Sequence, residues 1–356
     1  MTLPDNIRRS RAGVAAVAQG MRIVKARTLS LIFALVLPVS AASAAEKVNL
    51  ILNWTPTADH APYYYAKAQG LYEKAGIDLT IENGKGSGAS ALKVGSGGSA
   101  FGVADLPTML VARSKGADVA ALMSVYANTA QTFYWLKSSG INGPKDFPGK
   151  KIGNPPGDAS RVMWPAFAKH AGIAPDEVSF VNIAPPAKVG ALKSKTVDII
   201  SDFYNEHDLK LSQFGDDLGY LSWKDIGLNP YGNSLIVNGA FLEKNPKLVE
   251  DFVKITQKAF ATCVADVDPC LKALMDQASG LDKGTQLNQW ERIKFMMTDD
   301  FTPTKGLGWL DAKRMKDDYE LVQTYLGMEK PFDIEQAYTV KFLDPSVKMD
   351  ASKVKK

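Results

Sequence analysis

From residue 46 to residue 238, short apolar runs alternate with stretches of helical period, and that alternation restricts the chain to an α/β architecture built from parallel units. The strand candidates are 48–52, 78–82, 100–104, 119–125, 133–137, 151–153, 178–182, 197–201 and 234–238, with helical stretches at 63–75, 89–94, 106–115, 160–171 and 186–193. Beyond residue 241 the pattern becomes helical. In "NPKLVEDFVKITQKAFATCVAD" the apolar spacing starts at Leu248, with Asn245 as N-cap and Pro246 at the first helical position, where its missing N–H costs nothing. The terminal "ASKVKK" reads as a frayed polar tail. No internal repeat is visible in the sequence.

Two segments rich in glycine and proline interrupt the pattern: "SSGINGPKDFPGK" at 138–150 and "IGLNPYGN" at 226–233. Read as crossings, they divide the chain into a first lobe, 46–137 plus 233–356, and a second lobe, 138–232. The expectation is a two-lobe α/β protein with mixed, mostly parallel sheets, a hinge and an interlobe cleft. In open α/β sheets ligands bind outside the carboxyl ends of the strands, so the loops after each strand are where function should be sought.

The N-terminal region reads as a targeting segment. Met21–Arg27 is basic, Leu29–Val39 is an apolar run of 11 residues, and Ala42-Ser43-Ala44 is a small-residue cleavage pattern, which places cleavage near Ala44 or Ala45 and leaves Met1 or Met21 as the start. Residues 1–45 form the expected signal region, because the run falls short of the ~20 apolar residues of a bilayer span. That region carries six of the 42 basic and one of the 38 acidic residues, so the remainder holds 36 against 37 and has no basic excess that would suit nucleic acid. The only cysteines, Cys263 and Cys270, lack metal-type spacing; in an oxidising compartment they would staple two helices across "VADVDP".

The strand-end loops share a chemistry. The first, "NWTPTADHAPYYYAKAQG", offers the flat ring of Trp54, the carboxylate of Asp59, the imidazole of His60 and, among three tyrosines, Tyr64. The second, "ENGKGSGAS", has glycines but lacks both dinucleotide spacing and G-K-[ST], so it does not read as a cofactor phosphate cradle; a solvated loop is the commoner outcome, and backbone N–H groups that approach an anion or a carbonyl oxygen are the alternative. Asp105 ends the third strand as N-cap or acceptor. In the second lobe, "GNPPGDASRV" supplies Asp158, Ser160 and Arg161, the last opposing the helix dipole in a first turn. "SDFYNEHD" supplies Asp202, Tyr204 and Glu206, and the return crossing supplies Tyr231 and Asn233. Two carboxylates beside an aromatic suit either acid–base chemistry or recognition of an amine. No nucleophile elbow, no metalloprotease motif and no cysteine–base pair is present in the sequence, and His60, His170 and His207 are its only histidines.

These segments resemble one family across nearly all of the chain after residue 45: the substrate-binding proteins of ABC importers related to the fungal thiamine-pyrimidine synthase, which have the type II periplasmic-binding fold. The carriers are "LNWTPTADHAPYYYAKAQGLYEKAGIDLTI", "KVGSGGSAFGVAD", "GPKDFPGKKIG", "SDFYNEHD" and "NPYGNSLIVN". N-W-x-P followed by a histidine is similar to the branch that binds formylaminopyrimidine or hydroxymethylpyrimidine, and nitrate-, sulfonate- and taurine-binding relatives generally lack it. The resemblance implies a periplasmic monomer, no cofactor, a small-molecule ligand and an ABC permease partner. It places Trp54 and His60 against the ligand from one lobe and Tyr204 and Glu206 from the other. The enzyme of the same superfamily carries a Lys and a His four apart after the third strand and a cysteine-rich motif; here those positions hold Ala104 and Thr108 and the cysteines are missing. Where related binding proteins show G-Y-W-N-W-E, this chain has Ser201–Glu206, so another flat heterocycle or nitrogenous compound stays open.

Overall fold

A computed structural model describes residues 45–354 of the chain; the expected signal region, its cleavage point and the choice of start lie outside the described residues. Ten strands alternate with helices: β1 (Glu46–Ile51), α1 (Ala61–Ala68), α2 (Leu71–Lys74), β2 (Ile77–Glu82), α3 (Ser87–Gly95), β3 (Phe101–Asp105), α4 (Leu106–Ser114), β4 (Val119–Ser124) and β5 (Gln131–Leu136). There follow β6 (Lys151–Asn154), α5 (Ala159–Val162), α6 (Trp164–Ala171), β7 (Ser179–Asn182), α7 (Lys188–Lys193), β8 (Ile199–Phe203), α8 (His207–Phe214), β9 (Leu218–Ser222) and β10 (Asn233–Asn238). Helices α9 (Gly239–Lys244), α10 (Pro246–Ala265), α11 (Asp268–Gln277), α12 (Lys283–Met296) and α13 (Ala312–Tyr325) complete the chain. No helix among the described residues is long and apolar enough to cross a membrane.

The strands form two sheets of the same topology, β2-β1-β3-β10-β4 and β7-β6-β8-β5-β9. In each, the strand next to the edge strand runs antiparallel to its neighbours: β10 between β3 and β4, β5 between β8 and β9. This likeness of the two halves has no counterpart as a sequence repeat. Strands β3, β4, β5 and β10 are buried at every residue, which is why they read as continuous apolar runs rather than alternations. Helices cover both faces of each sheet and enclose separate apolar clusters, one set around Leu50, Phe101 and Phe252, another around Phe133, Phe167 and Trp223.

The structure departs from the sequence expectations at four points. The expected first lobe takes in residues 131–137, yet β5 pairs with β8 and β9 in the second sheet, so the first crossing is the short segment 125–130 and not 138–150. The segment 125–130, Val-Tyr-Ala-Asn-Thr-Ala, holds neither glycine nor proline, so no strong turn signal marks the change of lobe. Strand β9 was not foreseen. It is an edge strand in which Tyr220 is exposed and Gly219 lies under the Trp135 indole, where a Cβ would come within 2.1 Å, so it carries little apolar signal. The helical stretch 63–75 is broken at Gly70, whose φ of +64° only glycine adopts freely. Helix α10 begins as expected with Pro246 at its first position, but Asn245 donates its side chain to the Phe241 carbonyl and caps nothing. Cys263 and Cys270 are disulfide-bonded, Cα atoms 5.9 Å apart, joining the end of α10 to the start of α11.

Candidate functional site

The carboxyl ends of β1, β6 and β8 open onto one pocket between the sheets, with about 430 Å3 of unfilled space partly open to solvent. Its first wall is the loop after β1. Thr57 N–H donates to His60 Nδ1 (3.1 Å), which puts the ring proton on Nε2, where it is donated to Asn53 Oδ1 (2.9 Å). Burial holds the His60 pKa below its ordinary value against the pull of Asp59, so the ring is a neutral brace across the loop. Asp59 accepts from Thr57 Oγ1 (2.5 Å) and from Asn233 Nδ2 (3.3 Å). Braced in this way, the loop presents the half-buried Trp54 ring to the opposite wall.

That wall comes from β6, β8 and α7. Asp158 caps α5 by accepting from Ser160 N–H (3.0 Å), takes a further bond from Ser201 Oγ (3.1 Å), and lies 4.0 Å from Lys188 Nζ. Lys188 enters from the first position of α7 and is 2% exposed. Its ammonium donates to the Ser201 carbonyl (2.6 Å), stands 3.2 Å from Asp202 Oδ1, and sits 4.4 Å from the centre of the Trp54 ring. Lys210, fully buried, continues the network with Nζ 2.5 Å from Asp202 Oδ2 and 2.6 Å from Glu206 Oε2.

The electrostatics follow from that geometry. Burial would push Asp202 up, but the ammoniums of Lys188 and Lys210 overcome it and hold the carboxyl well below the usual range. Burial first, and then the Asp202 charge, push Glu206 up against the pull of Lys210 and, more weakly, of Lys188. For Lys210, burial favours the neutral amine, yet the two carboxylates win and hold it charged. Asn205 lines the pocket and is 2% exposed, and its Oδ1 has no hydrogen-bond partner among the described residues. Asp158, Asp202, Glu206 and Asn205 make this a wall of acceptors, suited to a ligand edge that carries N–H donors or positive charge.

The two lobes touch around the pocket. Gly84 and Gly86 donate to the carbonyls of Trp54 (3.0 Å) and Asn53 (2.7 Å), and Gly88 N–H, in the first turn of α3, donates across the cleft to the Gly157 carbonyl (3.0 Å). A Cβ on Gly86, at φ +120°, would stand 2.3 Å from that same oxygen. Gln131 Nε2 reaches across to Asp105 Oδ2 (3.3 Å). At the rim, Arg292 of α12 makes a bidentate pair with Asp208 of α8, both bonds 2.7 Å, and covers the Tyr204 ring at 4.7 Å.

Of the residues singled out in the sequence, Trp54, Asp59, His60, Asp158, Asp202 and Glu206 line the pocket. Others stand behind it or elsewhere. Tyr64 is buried in the first apolar cluster because helical geometry turns it inward. Asp105 is a buried support bonded to Thr108 and Gln131, raised to about 7 chiefly by burial. Ser160 is spent on the Asp158 cap, and Asn233 on Asp59. Arg161 turns away to Asn182 and the Phe180 ring. Tyr204 lies under Arg292, and Tyr231 is a hinge residue whose hydroxyl accepts the Asp311 N–H (2.8 Å) under the Arg314 guanidinium. Sequence reasoning missed Lys188, although the signal used for Arg161, a cation in a helix's first turn, applies equally to it. It missed Gln131 through the misplaced crossing, and Asn53, Thr57, Gly86, Ser87 and Asn205 because small polar loop residues carry no distinctive pattern.

Comparisons with known proteins give the family and the fold. The family model described as NMT1/THI5 like matches residues 57–268. The riboflavin-binding protein RibY of Chloroflexus aurantiacus is 24% identical over 84% of this chain and 86% of its own length. The formylaminopyrimidine-binding protein of Halalkalibacterium halodurans is 21% identical over 83% and 90%. The 4-amino-5-hydroxymethyl-2-methylpyrimidine phosphate synthase THI5 of Saccharomyces cerevisiae is 26% identical over 70% and 76%. Among solved structures, the alkanesulfonate-binding protein SsuA of Xanthomonas axonopodis pv. citri bound to MOPS superposes with a TM-score of 0.65 at 15% identity, covering 83% of this chain and 98% of that one. The fold is that of the periplasmic binding proteins, two α/β lobes about a cleft.

Proposed function

Because the chain belongs to the NMT1/THI5-like family, we propose that it is the solute-binding component of an ABC importer and takes a flat nitrogen heterocycle of the pyrimidine type, such as formylaminopyrimidine, in the interlobe pocket. One observation carries this reading: an aromatic face on one lobe opposes a wall of carboxylate and amide acceptors on the other, with Trp54 facing Asp158, Asp202 and Glu206. A ring stacked on the indole can direct exocyclic N–H groups at that wall, and such stacking contributes about 0.5–1.5 kcal/mol beyond area burial. A nitrate- or sulfonate-type anion fits less well, since Lys188 and Lys210 are already neutralised by carboxylates. The synthase reading lacks its residues, with the aligned positions occupied by Ala104 and by Thr108, whose hydroxyl is spent on Asp105.

In this role the protein works outside the cytoplasm as a monomer. Closure of lobes that divide near residues 125–130 and 223–232 presents the loaded form to a membrane permease, and the ligand acts by favouring the closed state. The test is calorimetric titration of formylaminopyrimidine and of riboflavin into protein freed of co-purified solute by unfolding and refolding, with mass spectrometry of whatever was released. One-to-one saturable binding without turnover is expected, and Trp54→Ala should weaken it at least about tenfold, the loss of ~1.4 kcal/mol. Equal binding by the variant would remove Trp54 from the site.

A further inference from the structure

Lys188 reaches the pocket from the second lobe and lays its ammonium 4.4 Å from the centre of the Trp54 ring on the first. Both residues line the same cavity, so a ligand that stacks on the Trp54 ring from the side of Lys188 meets this ammonium first. The ammonium is also 3.2 Å from Asp202 and 4.0 Å from Asp158, and no more than 2% of the residue is exposed. A cation held between an aromatic face and two carboxylates is the arrangement by which proteins bind cationic and amino ligands. Here the chain supplies that cation itself, and in doing so ties one lobe to the other.

We propose that Lys188 is a built-in occupant of the Trp54 subsite: it holds the lobes together without ligand, and binding exchanges its ammonium for the cationic or N–H-rich edge of the incoming ring. The inference rests on the reading of the cleft as a solute site and deepens it, because it sets the ligand class. A ligand that displaces Lys188 must satisfy Asp158 and Asp202 in its place, which an amino or amidine-like edge does and an anion does not. Lys188 is then an internal competitor, and its removal raises the fraction of protein open to ligand.

Two measurements on wild type and Lys188→Met decide it. Spin labels at the exposed positions Leu92 of α3 and Leu211 of α8, introduced as L92C and L211C, report the lobe separation without ligand. The labelled Lys188→Met protein should shift to longer distances, and an unchanged distribution overturns the proposal. Calorimetry with formylaminopyrimidine should show binding about tenfold tighter in Lys188→Met, while ethanesulfonate binds neither form; weaker binding of the pyrimidine means that Lys188 contacts the ligand and overturns the exchange. If formylaminopyrimidine binds none of the proteins, the pyrimidine reading fails, and the label distance alone decides the role of Lys188. Should Lys188→Met not fold, as read by its thermal transition, Lys188→Gln keeps a donor to the Ser201 carbonyl without the charge and is expected to give the same shift in distance.

Discussion

Replacing Lys210 by Met removes the only ammonium among the described residues within 4.0 Å of Glu206 while Asp202 keeps Lys188, so the cost falls on one carboxylate whose side chain is 14% exposed. Breaking a buried pair by deleting one partner typically costs about 3–5 kcal/mol. Glu206 can limit the loss by taking up a proton in the folded state. At pH 7, protonating a group whose unfolded pKa is about 4.3 costs about 4 kcal/mol, at 1.36 kcal/mol per pH unit. Lys210→Met should therefore lower unfolding stability by about 3–4 kcal/mol at pH 7.

The pH dependence carries the sign. In the wild type, Asp202 has a folded pKa held below its unfolded value, so its contribution is present above the unfolded carboxylate range and is lost only as the pH falls through the folded value. Lys210 is raised in the folded state, so its contribution is complete below the unfolded lysine value and is lost as the pH rises through the folded one. Without Lys210, Glu206 rises further, and the folded variant binds more protons than its unfolded chain. Its deficit against wild type should then shrink as the pH falls from 7 toward 4.5, by at most about 1.4 kcal/mol for each unit, because wild-type Glu206 is itself raised and takes up part of the same proton. Urea titrations at several pH values, with equal m-values as the control for two-state behaviour, measure this directly. A deficit under 1 kcal/mol at pH 7, or one that is flat between pH 5 and pH 7, would refute the account of the network; the double variant K210M/E206Q should recover most of the loss.

Three further outcomes are expected. Gly86→Ala should prevent the lobes from meeting at Gly157, seen as a larger radius of gyration in solution scattering and lost ligand affinity, whereas an unchanged radius would show that the loop yields. Arg292→Gln removes a rim pair in which both side chains are partly exposed, so unfolding stability should change by no more than about 1 kcal/mol while the closed fraction falls; a large drop in melting temperature instead would make the pair structural. Cys263→Ala with Cys270→Ala opens a short loop and should cost about 2–3 kcal/mol on chain-entropy grounds, measured by urea unfolding, with no effect on ligand titration; a stability equal to that of the bonded protein would refute this.

The fold is legible where burial is two-sided. Strands such as β3, β4 and β10 leave unbroken apolar runs between helical periods, and the position of their carboxyl ends follows from the α/β pattern alone. The edge strand β9 and the polar-ended start of β5 leave no such trace. For the candidate site, strand ends select the right loops, but direction within a loop is not readable. Arg161 and Lys188 carry the same local signal, and only tertiary packing turns one to Asn182 and the other to Trp54. Asp105 reads in the sequence as an N-cap or ligand acceptor and His60 as a ligand contact, yet each spends its polar atoms on neighbours: Gln131 and Thr108 in one case, Asn53 and Thr57 in the other.

The position of β10 governs the order in which the molecule can be assembled. β3 and β4 do not pair with each other; each is hydrogen-bonded to β10, which arrives more than a hundred residues later, after the whole of the second sheet. As the chain emerges, β5 to β9 can complete their sheet on their own, while β4 waits with both edges open. The nascent first lobe is thus the aggregation-exposed intermediate, closed only when the last strand inserts between two that are already made. Cutting the chain at either crossing would release no intact first lobe, since one fragment would lack the strand that joins β4 to the rest.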